Sequence, residues 1–531
     1  MLNVTFFRGS RPKIQPHLLE TGEAQKAINC RLQTGALEAF RGPSLERAIS
    51  VASVASLFKY ADTNYWFEFQ QDANVAEGPI ASDTESTTYF TGDGEPAMTY
   101  ASIATQGNAP YPSNRYRLGL PAPADTFDVT VTGTANPVDD NADSRAYTFT
   151  YVSARGEEGP PSLPSDIVDV LLGEEVSITN IPVAPSGNYN VTSKRIYRTS
   201  TASGDTDYLF VAEIPVAQTT YTDTLASESL GEVLPSVDWH APPSDMIGLT
   251  SCANGVLAGF SGKELYLSEQ YLPHAWPYSL TMDRPIVGIV SVRGGLVVAT
   301  DGKPVIVAFT SPSAAAQYEI ETPRACISKR SMVDMGDYAI YATGDGLVAV
   351  DSSGQAPLIT QNVIDRYQWQ KFNPETIHAY RKENWYVGFY QGQSVSGGFA
   401  ITARGDTFIE FDFYADAGFV DPKTGDLYLV IDGDIVKWDD DAANPIPYRW
   451  VSAETLLASS QNIAAARVDA ESYPVTFELY SEGNLLHTQS VTSSEPFWLP
   501  GNYLVRRYHI AIEGSTRVRA AFAAETLEAV Q

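Results

Sequence analysis

Long hydrophobic runs are missing from this chain. Its 531 residues contain no stretch of about 18 consecutive apolar residues, so no segment reads as a membrane-spanning helix. Cysteine is scarce: Cys30, Cys252 and Cys326 make three, an odd number with no CxxC or other metal-ligand spacing. They read as buried free thiols of a protein made in a reducing compartment, not as a disulfide framework. Positive charge is short as well. Lys and Arg number 35 against 64 Asp and Glu, a net charge of −29. A nucleic-acid grip needs Lys and Arg to neutralise phosphates, so this balance argues against one. It fits plain solubility, or a surface that DNA passes without sticking. The opening "MLNVTFFRGSRPK" has charges where a secretory leader has its apolar core, so no such leader is expected.

Catalytic signatures are missing too. No G-x-S-x-G elbow, Walker A or G-x-G-x-x-G strand-to-helix fingerprint occurs. The Gly-rich "TGDGE" and "ATGDGLV" lie between strands and read as hairpin turns. The six histidines, His17, His240, His274, His378, His487 and His509, are scattered. His17, His378 and His509 have a glutamate three or four residues away, without forming a zinc-ligand set. The sialidase-type Asp box is absent, and a glycosidase needs two convergent carboxyls that sequence does not display. Two acidic runs raise the question of Ca²⁺. Val138–Asp143 begins like an EF-hand loop with Asp139, Asn141 and Asp143. It then has Ser144 where that loop needs Gly and Thr150 where it needs a bidentate Glu. Asp432–Asp441 does not fit the spacing. Both read as solvated turns. Placed on a channel wall, Asp432, Asp434, Asp439, Asp440 and Asp441 would line it repulsively. The expectation is no catalytic residue, no cofactor and no metal.

What is present is β structure. Hydrophobic residues are 44% and charged residues 19%, with 39 Gly, 33 Pro and 29 Tyr, a globular and turn-rich composition. "SLFKYADTNYWFEFQQ" reads as strand, turn, strand, broken at Asp62 to Asn64; "TTYFTGDGEPAMTYA" repeats the plan around a GDG turn. From Asn254 onward, five segments pair an apolar run, a Gly-bearing turn and a second apolar run. Their turn glycines, Gly262, Gly302, Gly344, Gly392 and Gly433, recur at roughly 40 to 50 residues, the blade period of a β-propeller. With the earlier hairpins, the fold class expected is all-β: a propeller of six or seven blades. A sandwich of the same hairpins is the structural alternative.

Residues 125–236 interrupt the period with turn signals at intervals of about 8 to 15 residues, which predicts an inserted immunoglobulin/fibronectin-like β-sandwich. The expected organisation is a strap at 1–46, blades at 47–124, the sandwich at 125–236, blades at 237–444 and a small C-terminal β region at 445–531. Helix signals are few: Gly22 to Cys30, Asn362 to Phe372 and Ala453 to Val468.

One resemblance stands out. "RPKIQPHLLETGEAQKAINCRLQTGALEAFRGP" resembles the opening of the tail nozzle (tail hub) proteins of short-tailed bacteriophages. The pattern is carried by Leu18, Leu19, Gly22, Ala24, Ala27, Asn29, Arg31, Gly35, Leu37, Gly42 and Pro43. The Glu157–Glu158 turn, "KRIYRT" and "TTYTDT…LGEVLPS" resemble the fibronectin-type sandwich inserted in phage structural proteins. The resemblance implies a virion protein of the tail, assembled in the bacterial host cytoplasm. It implies a homohexameric ring below the head-to-tail adaptor that continues the DNA channel, lets DNA pass without specific binding, and carries fibres or spikes. The strap is then expected to be a docking segment with little core of its own that packs on a neighbouring subunit or the adaptor, so that deleting residues 2 to 40 abolishes ring assembly but leaves folded monomers; a propeller-closing strand contributed by the N-terminus is the alternative. Another phage tail-tip or baseplate protein, and a propeller glycosidase or carbohydrate-binding protein, are the alternatives.

Overall fold

The computed structural model describes residues 1–61, 63–136, 142–200 and 205–531. Seven antiparallel runs of strands follow one another along these residues, spanning 56–69, 74–117, 247–281, 286–319, 333–351, 378–411 and 417–438, the run at 378–411 being one end of a ten-stranded sheet. Each is an up-and-down run of two to four strands adjacent in sequence, the plan of a propeller blade. Two α-helices among the described residues, Ala101–Ala104 and Arg366–Gln370, are about one turn each. No helix among them is long and apolar enough to cross a membrane. The turn glycines act as the sequence implies. In "IDGD", Ile431 pairs with Asp434 across a two-residue turn. Asp432 (φ 50°) and Gly433 (φ 85°) both take the left-handed conformation that a type I′ hairpin requires.

The chain divides into two compact units. The second comprises 71–286 and 309–316 and holds the blades at 74–117 and 247–281. It also holds a β-sandwich inserted between them. One sheet of the sandwich orders Asp128–Gly133, Glu174–Thr179 and Tyr221–Asp223; the other orders Tyr147–Ser153, Val191–Ser200 and Asp205–Pro215. Inward-facing Phe127, Tyr147, Phe149, Val176, Ile178, Ile196 and Ile214 form its core. The segment after Gly156 runs beside Tyr147–Ser153, with the amides of Gly159, Ser162 and Ser165 bonded to Tyr151, Phe149 and Tyr147. Pro160, Pro161 and Pro164 lie between those amides, so this edge offers no further donors at those positions to another strand.

The first unit comprises 1–70, 287–308 and 317–531, and its termini are interwoven. Strand Ala24–Ile28 lies between Phe408–Phe411, the last strand of one blade, and Tyr448–Ser452. One sheet therefore continues from a blade into the C-terminal strands. Leu2–Val4 pairs with Val518–Ala524. Ser44–Ala48 pairs with Asp434–Trp438 and completes a four-stranded blade. The C-terminal strands share one core with the N-terminal segment and these blades.

Three expectations change here. Residues Gly22 to Cys30 are not helical. Ala24 and Ala27 are fully buried at a spacing of three because a bulge between Ala24 and Lys26 breaks the two-residue alternation. Ala453 to Val468 is two strands, Thr455–Gln461 and part of Ala465–Ala470, not a helix. Ala465 and Ala466 on the second strand are both fully buried. The opening strap is not a segment with little core of its own, since Val4, Phe7, Ala24, Ala27, Cys30 and Leu37 are at most 1% exposed.

Candidate functional site

The N-terminal segment that holds the opening pattern runs along one seam of the first unit. Phe7 packs edge-on against Trp450, with ring centroids 4.9 Å apart, and Trp450 Nε1 donates to the carbonyl of Arg8 at 3.0 Å. Gly9 passes so close to the Phe408 backbone that a Cβ would lie 2.5 Å from its nitrogen; only glycine fits. Asn29 takes a left-handed φ of 53°, tolerated by a short polar side chain. Its Nδ2 donates to Asp412 Oδ1 at 2.9 Å and to the Pro447 carbonyl at 3.1 Å. The side chain thereby ties three stretches of chain at one point. Phe40 then inserts between Phe411 and Trp438, 5.7 and 5.1 Å away.

Asp439 closes the seam. Its carboxylate accepts from the Arg41 amide at 2.8 Å and lies 3.3 Å from the Arg31 guanidinium. Arg31 also reaches Glu383 at 3.3 Å. The next residue, Asp440, accepts from Ser44, whose hydrogen bond holds its carboxyl below the usual range. Asp439 and Asp440 therefore anchor the N-terminal segment. Asp432 and Asp434 sit at the far end of the same strand, about 16 Å away for five residues of extended chain. Asp432 and Asp441 are exposed. The five aspartates singled out in the sequence do not form one patch, and two of them serve the fold. The Asp439–Arg41 contact was not legible beforehand, because its partners are 398 positions apart.

The remaining candidates separate. His378 is buried, stacked on Phe389 and bonded through Nδ1 to Tyr380 Oη at 3.1 Å. His509 stacks on Tyr480. His274 belongs to the second unit. Burial pushes the Cys30 and Cys326 thiols up, so they stay protonated and inert. No group of three or more His, Cys, Asp or Glu side chains suited to a metal occurs among the described residues. Of the EF-hand-like run, Val138 to Asn141 lie outside the described residues. Asp143 bonds Arg145, Ser200 and Ser227 instead.

No family model matches the chain, and no curated protein matches it. Among solved structures, the WD40 domain of Neurospora crassa Pan2 is 9% identical with a TM-score of 0.26, covering 60% of this chain and 97% of that one. The β-propeller domain of Myceliophteria thermophila Cps50 (Swd1) is 11% identical with a TM-score of 0.24, over 60% and 92%. BamB of Moraxella catarrhalis is 10% identical with a TM-score of 0.23, over 57% and 93%. Similarity at this level adds nothing to the fold read from the strands.

Proposed function

We propose that this protein is a structural, non-catalytic component of a phage virion: the nozzle ring of a short tail, six copies seated below the head-to-tail adaptor. In this reading, DNA leaves through the ring without binding specifically, and fibres or spikes attach to its outside. The observation that carries the reading is the opening pattern itself. Ala24, Ala27 and Leu37 are fully buried, Gly22 and Gly35 take left-handed φ, Asn29 is the three-way tie, and Arg31 bridges Glu383 and Asp439. These positions, each with a physical reason in the fold, are the ones that carry the likeness to the nozzle family. The charge of −29 suits a conduit for a polyanion.

The test is the mass of the purified protein in solution, alone and mixed with a candidate adaptor ring. A monomer that becomes a sixfold ring with an axial hole only on the adaptor is the expected result. A monomer or trimer indifferent to the adaptor overturns it, a trimer favouring a tail-tip protein.

A further inference from the structure

A cavity of about 210 Å³ opens in the second unit where three of its parts meet. The blade at 74–117 contributes Asp83, Thr87 and Tyr89, the sandwich contributes Arg155 and Glu157, and the blade at 247–281 contributes Tyr271 to His274. Junctions of this kind are where ligand pockets concentrate, and drug-sized sites run to about 300–1,000 Å³. This one suits something smaller.

The one cation among the cavity's described lining residues, Arg155, is already engaged. Arg155 donates to Thr87 Oγ1 at 2.8 Å, lies 3.8 Å from Asp83 and caps the Tyr100 ring at 4.7 Å. Burial pushes the Glu157 carboxyl up and the His274 imidazole down to about 4, so His274 is neutral near pH 7. His274 is 9% exposed, packs against Trp239 and lines the cavity. At the rim, Tyr271 is 52% exposed and holds a left-handed φ of 57°. That conformation is an outlier for a bulky residue. It sets the ring so close to Gly255 that a Cβ there would lie 2.4 Å from it. Pro79, Ile80 and Leu272 make an apolar wall.

We propose that this cavity binds one neutral pyranose ring, free or as the end unit of a glycan. A sugar ring is small, uncharged and two-faced. Its C–H face suits the Tyr271 ring and the apolar wall, while its hydroxyls both donate and accept, which a lining of mixed donors and acceptors such as His274, Glu157 and Asp83 can use. An anion would have to compete with Asp83 for a guanidinium that is already engaged. The site is independent of the virion reading.

The experiment is saturation-transfer NMR on the full chain with the methyl glycosides of glucose, galactose, mannose and N-acetylglucosamine, each with and without inorganic phosphate. Tyr271→Gly and His274→Gln are compared with the wild type, and thermal unfolding confirms that each variant is folded. Transfer from at least one glycoside is expected, insensitive to phosphate and weakened roughly tenfold or more in affinity by each variant. Tyr271→Gly removes an exposed ring and a strained φ, so it should stay folded even if His274→Gln does not. No transfer from any glycoside, transfer undiminished in Tyr271→Gly, or displacement by phosphate overturns the proposal. Repeating the measurement with a polysaccharide ending in the responding sugar separates a glycan end from a free sugar, and either result supports it.

Discussion

The first unit and the sandwich of the second bury very different things. The first unit's core joins Phe7, Phe40, Phe389, Phe411, Trp438 and Trp450, residues from the two ends of the sequence that meet as apolar surface. The sandwich has a smaller apolar core and, beside it, buried charge. Arg198 and Asp223 are both fully buried, with Nε 2.9 Å from the carboxylate although poorly aligned as a hydrogen bond. Tyr147 Oη donates to the same carboxylate at 2.7 Å. Arg198 also donates to the Leu225 carbonyl, and Asp143 joins Arg145, Arg198, Ser200 and Ser227. Apolar burial is non-directional and sums over area. A buried ion network contributes little net stability, but its loss in part is severe. The first unit should therefore fail when area is removed, and the sandwich when one charge is.

The largest effect should follow deletion of residues 2 to 40. The buried Leu2, Val4, Phe7, Leu37 and Phe40 contribute about 8–15 kcal/mol together at the usual value for such side chains, comparable to the whole stability of a domain. The first unit should not fold, while the sandwich strands keep their cooperative transition. Calorimetry reads both transitions. A truncated chain with an undiminished first-unit transition would break the comparison and restore the strap as a docking arm.

Next in size, Arg198→Met should cost about 3–5 kcal/mol in urea denaturation, because it strands a fully buried carboxylate. Adding Asp223→Leu should recover much of that loss. If the single variant costs under about 1 kcal/mol, the network is not what specifies the sandwich.

These two regions also differ in how far the sequence revealed them. The sandwich strands were legible because their alternation is local and turns bound each one, as in "KRIYRT" within Val191–Ser200. The blade hairpins were legible for the same reason. The short helix Arg366–Gln370 falls inside the Asn362 to Phe372 signal, and the structure starts it with a capping box in which Asp365 and Gln368 bond each other's backbone. The first unit's seam was not legible. Ala24 and Ala27 lie at helical spacing only because a bulge offsets them, and their partners are more than 400 positions away. Ala465 and Ala466 read as helix formers, whereas the structure buries both in a strand. The aspartates from 432 to 441 looked like one cluster because sequence distance hides a strand that separates its two ends. The cavity at Tyr271 gave no signal at all, since its lining comes from three separate stretches of chain.

Acid should sharpen the comparison further. Burial pushes His378 of the first unit down to about 3 from an ordinary value near 6.5. The unfolded chain then binds the proton that the folded chain excludes. Stability is therefore intact above about pH 6.5 and falls as pH drops toward 3. The loss at pH 4.5 is about 2–3 kcal/mol from this group. His378→Phe keeps the stacking on Phe389 and should flatten the acid side of the first unit's stability curve. It gives up the Tyr380 hydrogen bond, about 1 kcal/mol at neutral pH, so the wild-type and variant curves should cross. Parallel curves would mean that His378 does not set the acid limit.

The smallest expected effect on stability is also the one that separates folding from docking within the opening pattern. Leu18 ends the short turn Pro16–Leu18 and is 65% exposed, unlike Ala24, Ala27 and Leu37 of the same pattern. Leu18→Ser should change unfolding by no more than about 0.5 kcal/mol, as surface substitutions do. The fold leaves most of this leucine in solvent, and contact with a neighbouring molecule in an assembly is the reason the nozzle reading supplies for its place in the pattern. In that case the variant melts like the wild type but loses ring formation on the adaptor. A variant that melts normally and still forms the ring would leave the whole pattern explained by folding alone. The likeness to the nozzle family would then report a shared way of sealing a chain rather than a shared way of docking it.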